Sequence, residues 1–232
     1  MTVPADAAPG NPALLARAAA LKLLEAALAK RGGLDEALSE RTYGLLSTQD
    51  RAFARALVMA ALRRLGPIDR ALDGRLKREP PAPVRNLLRL GLAQAFWLDT
   101  PAFAAVDTTV SLTPKPLRGL VNAVLRGLLR EGPPKDDPTS LAPAWLVARW
   151  RAAYGEEAAL AIAAQIADEP ATDLTLRDPA DIVLADELEG EMLAQSSLRT
   201  RKRGDLAGWP GYAAGRWWVQ DAAAALPARI LS

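Results

Sequence analysis

The 232 residues carry 29 Lys/Arg against 27 Asp/Glu, a formal charge of +2, and contain neither cysteine nor histidine. The two zeros exclude thiolate nucleophiles, disulfides, Cys/His zinc sites and imidazole acid–base chemistry from this sequence. Half the residues are hydrophobic, about a quarter are charged and about a fifth are alanine, a globular, helix-leaning composition whose length admits one or two domains, each able to bury a core.

The opening MTVPADAAPGNP has neither the basic start nor the apolar stretch of a signal peptide. No uncharged apolar run reaches the roughly 20 residues that a bilayer crossing needs, so a cytoplasmic protein with no membrane partner is expected. Ala20, Leu23, Leu24, Ala27 and Leu28 recur at helical spacing and predict a first helix stopped by Gly32-Gly33, followed by a short amphipathic stretch from Leu34 to Leu46. Ser47, with Asp50 three residues later, predicts the cap of a helix from Gln49 to Leu65 that buries Phe53, Leu57, Val58, Ala61 and Leu65. Gly66-Pro67 is expected to end it, and another helix to run from there towards Lys77.

PPAP, Pro80 to Pro83, suits the first turn of a central helix whose Val84, Leu87, Leu88, Leu92 and Ala95 face inward. After Asp99-Thr100-Pro101 a short helix carries Val106 and Val110 until Pro114 and Pro116 break it. The last helix of this half is the clearest, because Leu117, Leu120, Val121, Val124, Leu125 and Leu128 share one arc. Arg118, Asn122, Arg126 and Arg130 occupy its opposite arc with no acid among them. Such a one-sign stripe suits phosphate contacts, and the plain alternative is a solvated helix face. Arg51, Arg55, Arg63, Arg64, Arg85 and Arg89 add cations whose convergence the sequence does not reveal.

Charge is unevenly spread. Residues 1–135 hold 20 Lys/Arg and 12 Asp/Glu (+8), residues 136–232 hold 9 and 15 (−6), and two domains with different roles are the simplest reading. EGPPKDDPTS, Glu131 to Ser140, has neither helical period nor strand alternation. The expected division is therefore 1–134, a linker at 135–140, and 141–232. In the second part Ala142 to Tyr154, with Trp145, Leu146 and Trp150 grouped, and Glu156 to Ala167 read as helices. DLTLR, Asp173 to Arg177, reads as a strand, Asp178 to Gly190 as a short acidic helix, and Glu191 to Arg201 and Arg216 to Asp221 as further strands. The fold class expected is mainly α, an all-α domain followed by a small α+β subdomain.

STQDRAFARALVMAALRRLG, VRNLLRLGLAQAFWLDTPAFAAVDTTV and RGLVNAVLRGLLREG, in this order and spacing, resemble the signature stretches of the NusB-type RNA-binding fold. The version they resemble is the one fused to bacterial ribosomal RNA cytosine-5 methyltransferases of the RsmB (Sun/Fmu) family. Phe103, where the family commonly has His, and Asp107-Thr108-Thr109, in place of Asn-Glu-Ala/Thr, depart from the pattern. PAWLVARWRAAYG, EPATDLTLR, WPGYAAG and RWWVQDAAAALPARIL resemble the subdomain preceding that family's catalytic core, so the likeness runs from about Ala13 to Ser232.

The resemblance implies RNA as the partner, 16S rRNA in particular, and S-adenosylmethionine as cofactor of the complete family enzyme. The family's cofactor strand, glycine-rich loop and two cysteines would follow Ile230-Leu231-Ser232. The chain is therefore expected to be a truncated, inactive, RNA-binding N-terminal portion with no cofactor, metal or catalytic residue of its own, and to be monomeric. Gly208, Gly211 and Gly215 lack the flanking strand and helix of a cofactor loop and read as loop.

Arg199, Arg201, Lys202 and Arg203, near Trp209, Tyr212, Trp217 and Trp218, form the basic cluster of the acidic half. They are candidates for holding single-stranded RNA, or else a solvated strand edge beside core tryptophans. Trp217 and Trp218 point to opposite strand faces. Asp221 is expected to cap the following helix, which Pro227 should kink or shorten. The paired carboxylates Glu156-Glu157 and Asp186-Glu187 do not face each other on a helix. The RNA-binding candidates are thus Arg51, Arg55, Arg118, Arg126, Arg130, Arg199, Arg201, Lys202 and Arg203. Two other readings are a stand-alone NusB-like RNA-binding or antitermination module, and a helical protein-binding adaptor.

Overall fold

A computed structural model of the chain describes residues 12–29, 44–193 and 196–231. The first compact unit extends to Asp168 and the second starts at Glu169. Helices of the first are α1 (Pro12–Leu28), α2 (Thr48–Arg63), α3 (Leu65–Asp73), α4 (Ala82–Trp97), α5 (Ala102–Leu112), α6 (Arg118–Glu131), α7 (Pro138–Leu141), α8 (Ala144–Tyr154) and α9 (Glu156–Ala164). The expected stop at Gly32-Gly33 and all but the end of the amphipathic stretch Leu34 to Leu46 lie outside the described residues.

α4 is the hub, packing against α1, α2, α3, α5 and α6. Leu88 and Leu92 from α4, Leu23 and Leu24 from α1, Leu57 from α2, Ile68 from α3 and Leu125 from α6 are almost completely removed from water. Each such side chain contributes about 1.5–3 kcal/mol. Gly91 permits the closest approach: a Cβ there would lie 2.9 Å from Thr109 Oγ1 on α5 and 3.0 Å from Leu125 on α6. Beside it runs a buried polar chain. Arg17 Nε donates to Gln94 Oε1 at 2.7 Å, Gln94 Nε2 donates to Thr109 Oγ1 at 3.2 Å, and the Arg17 guanidinium stacks on Phe53 at 4.7 Å. The chain ties α1, α2, α4 and α5 together with each buried polar group satisfied.

Ser47 caps α2, accepting from the Asp50 amide at 3.0 Å. The break after α2 falls at Arg64, two residues earlier than the Gly-Pro pair suggested. Pro67 lacks the N–H an interior helical residue needs and its ring would meet the carbonyl of residue 63, so it sits in the first turn of α3. Residues 138–141 are helical, a correction to the structureless linker. Asp137 accepts from the Thr139 amide at 3.0 Å and Pro138 opens the turn. This segment docks on the helices before it through Arg64–Asp136 (3.0 Å) and Arg70–Asp137 (2.9 Å). A Cβ on Gly66 would be 1.9 Å from the Ser140 carbonyl oxygen. The compact units accordingly divide after Asp168, and not at 135–140 where composition changes.

In the second unit, β1 (Thr172–Leu176), β2 (Gly190–Met192), β3 (Ser197–Thr200) and β4 (Trp217–Val219) form an antiparallel sheet of order β2-β3-β1-β4, with α10 (Val183–Glu187) and α11 (Ala222–Ile230). The single strand expected over 191–201 is a hairpin, with Met192 opposite Leu198. Its turn uses Ser196 at φ 64°, and no glycine or proline marks it in the sequence. The acidic helix expected over 178–190 shrinks to α10, since Asp178 accepts from the Ala180 amide at 2.9 Å and makes a turn around Pro179 instead. Leu174, Leu176, Leu184, Leu188, Leu198, Trp209 and Trp217 form this unit's core. Asp221 caps α11 through the Ala223 and Ala224 amides, and the helix continues past Pro227.

Candidate nucleic-acid interface

α6 buries Val121, Val124, Leu125 and Leu128 against α4 and α5 and turns its other side outward. Arg118, Asn122, Arg126 and Arg130 follow one another at i+4, a rise of about 6 Å and a drift of about 40° per step. They make a shallow spiral about 18 Å long. Arg118 donates to the Thr113 carbonyl at 3.0 Å and the Ser111 carbonyl at 3.3 Å, finishing the C-terminal end of α5. Arg126 donates to Asn122 Oδ1 at 3.0 Å. Arg130 is exposed. Among the described residues none of the three has a carboxylate partner. The one acid at this end of the helix, Glu131, pairs with Arg75.

Six other described cations of the unit, Arg64, Arg70, Arg75, Arg85, Arg89 and Arg151, are paired with acids. Arg85 reaches Asp69 (3.1 Å), Asp73 (2.7 Å) and Glu79 (2.6 Å), and Arg89 reaches Asp69 at 2.7 Å, so these two join α3 to α4. Burial works against the charge on Arg85, but the Asp73 hydrogen bond and the surrounding acids outweigh it and raise its pKa. Arg64 pairs with Asp136 and lies over the Trp97 ring at 4.8 Å. Arg51 donates to the Gly44 carbonyl at 3.2 Å and to Thr48 Oγ1 at 3.4 Å, bracing the first turn of α2, with Arg55 exposed one turn on. α2 and α6 share α4 as a neighbour without substantial packing of their own. Arg51 and Arg55 are therefore not on a helix adjoining the α6 stripe.

The cluster at 199–203 comes apart. Arg199 lies opposite Asp173 in the β1–β3 register and forks onto it at 2.7 and 2.8 Å. Lys202 pairs with Glu189 at 2.5 Å and Arg203 with Glu169 at 2.9 Å. Arg201 is exposed and has no acid partner among the described residues. Of the tryptophans, Trp217 is buried and donates to the Pro210 carbonyl at 2.7 Å, while Trp218 is exposed and donates to Gln220 Oε1 at 3.1 Å. Trp145, grouped by sequence with Leu146 and Trp150, faces outward. Assigning its angle on the helix relative to buried Val147 is the signal that would have separated it from them.

Gly208, Gly211 and Gly215 lie between β3 and β4, Gly208 closing a single 3-10 turn and the other two following it. Gly211, at φ 80°, is packed by Leu184 and Trp217. This is a closed loop against the core, without the strand–loop–helix geometry that presents amides to a nucleotide-type cofactor, so these glycines do not fit S-adenosylmethionine. Among the described residues no group of three or more acidic side chains could hold a metal ion, and no helix is long and apolar enough to cross a membrane.

Comparison with known proteins gives three kinds of likeness. A model of the NusB family matches residues 14–130. Ribosomal RNA small subunit methyltransferase B of Xanthomonas campestris pv. campestris is 36% identical across 61% of this chain and 34% of the relative. The protein of the same name from Pseudomonas putida is 33% identical across 93% of this chain and 54% of the relative. The probable ribosomal RNA small subunit methyltransferase B of Bacillus subtilis is 31% identical across 80% and 47%. The chain thus spans from about a third to about half of these relatives' length. The crystal structure of PH0851 superposes with a TM-score of 0.57 at 17% identity, over 96% of this chain and 56% of that one, a likeness of fold.

Proposed function

Because the chain belongs to the NusB family through residues 14–130, we propose that it binds RNA and serves as the RNA-holding part of a small-subunit ribosomal RNA methyltransferase of the RsmB type. The observation that carries this reading is the outer face of α6, where Arg118, Arg126 and Arg130 have no acid partner among the described residues while Arg64, Arg75, Arg85 and Arg89 are spent on internal ion pairs. A charge left unpaired on a rigid helix is available for phosphate at little reorganisation cost, and guanidinium groups can grip phosphate oxygens two at a time. The relatives named as ribosomal RNA small subunit methyltransferases support ribosomal RNA as the substrate class, and 16S rRNA and a cytoplasmic setting are part of the same proposal. S-adenosylmethionine is the methyl donor proposed for such an enzyme, and no bond-making step is assigned to these 232 residues.

The test is the affinity of the chain for a helix of small-subunit rRNA. Replacing Arg118, Arg126 and Arg130 together with glutamine should weaken it about 10- to 100-fold at moderate salt, with the melting temperature lowered only by the few degrees that loss of the Arg118 cap on α5 costs. Unaltered affinity in that variant would overturn the reading. It would move weight to a helical protein-binding adaptor, for which the exposed Phe103, Leu226 and Ile230 are the supporting feature.

A further inference from the structure

The α8 helix leaves one side uncovered. Val147 is its buried residue and Leu146 and Trp150 lie partly covered on the same side, whereas Trp145, Ala148, Arg149 and Ala152 share the opposite arc. Trp145 is 63% exposed, which is unusual for the largest apolar side chain. Arg149, one turn later on the same arc, is exposed with no hydrogen bond or ion pair among the described residues. The other cation of the helix, Arg151, is held by Glu156 at 2.5 Å. The arc contains no carboxylate.

We propose that Trp145 and Arg149 form a contact for one unpaired nucleotide of RNA, the indole stacking on the base and the guanidinium meeting the neighbouring phosphate. It rests on the RNA-binding reading above and adds to it a site outside residues 14–130, with a different substrate preference. A ring and a cation about 6 Å apart along a helix, with only alanine methyls between them, match the alternation of flat apolar base and anionic phosphate along a strand. A protein partner fits less well. Beyond Trp145 the arc offers two alanines and no second large apolar side chain, far short of the roughly 800 Å² that each partner of a stable protein complex buries. The α6 stripe, all charge and no ring, suits the phosphates of a duplex. The α8 arc suits a base that has left one.

The experiment uses the 232-residue chain and two labelled RNA hairpins, one blunt and one with a short single-stranded pyrimidine extension. Trp145→Ala is expected to weaken the extended hairpin about tenfold and leave the blunt one unchanged, and Trp145→Phe to keep most of the affinity. Arg149→Gln is expected to lower the salt slope for the extended hairpin by about one phosphate contact. If Trp145→Ala and Arg149→Gln bind both hairpins as the parent does, while the α6 triple variant loses both, the nucleotide contact is overturned and the RNA-binding reading stands. If the parent binds neither hairpin, both fail. Equal weakening of both hairpins by Trp145→Ala would assign it a structural role. Self-association of the parent that Trp145→Ala abolishes, with RNA affinity intact, would give the arc to protein. Either result overturns the proposal.

Discussion

The Asp173 carboxylate accepts from both Arg199 nitrogens on β3 and from the Ala222 amide at 3.0 Å, so one buried side chain joins two strands to the start of α11. The Arg199 hydrogen bonds lower its pKa first; burial opposes them, and the Ala222 amide and the guanidinium charge lower it further. A carboxylate whose folded pKa lies below its unfolded value of about 3.9 stabilises the fold fully above that value, and the contribution disappears as pH falls through the folded pKa. Asp173→Asn, which keeps the shape and loses the charge, should cost about 2 kcal/mol at pH 7. In urea melts of the two proteins from pH 7 to pH 3 the difference should close on the acid side. A difference that stays constant would refute this account of Asp173. The sequence put Arg199 in a run of four basic residues and could go no further. Its partner lies 26 positions earlier, and only the strand register brings the two opposite. Trp217 and Trp218 were readable as opposite-facing; which one is buried depends on the Leu184 and Trp209 side of the sheet, set by tertiary packing.

Helices were legible from apolar spacing wherever the buried stripe is wide, as in α4 and α6, and caps such as Ser47 and Asp221 were legible because their chemistry is local. What stayed hidden was contact between elements far apart in sequence. Arg85 and Arg89 look in sequence like more of the α6 stripe, but Asp69 and Asp73 on α3 claim them. The hairpin of β2 and β3 was hidden for the opposite reason, since its turn is built on Ser196 and lacks the residues that usually announce one. Gly66 gives a test at this scale. Helix propensity alone would make Gly66→Ala favourable by about 1 kcal/mol. A methyl 1.9 Å from the Ser140 carbonyl oxygen must instead push α7 off α3. A net destabilisation of about 1–3 kcal/mol is expected in thermal or urea melts, and a stabilised Gly66→Ala protein would show that the 136–141 segment does not dock there.

At the scale of the molecule, the boundary after Asp168 reassigns charge. The first unit carries 22 Lys/Arg against 17 Asp/Glu and the second 7 against 10, or +5 and −3. Composition alone placed the division some thirty residues earlier because proline, glycine and aspartate there look like a linker; Asp136 and Asp137 are instead partners for Arg64 and Arg70. A fragment of residues 1–168 should melt cooperatively, and one of residues 1–134, deprived of those carboxylates and of Leu141, should melt about 5–10 °C lower. Coincident melts would contradict the boundary. On the proposed reading, the acid-free cations of α6, set against the pairing of Arg199, Lys202 and Arg203 with carboxylates, favour α6 as the principal phosphate-binding surface. The direct measurement is the affinity of the chain for an rRNA helix as a function of salt. The slope of log K against log salt should fall in magnitude by about 2–3 when Arg118, Arg126 and Arg130 are replaced by glutamine, and an unchanged slope would contradict the assignment of RNA to α6.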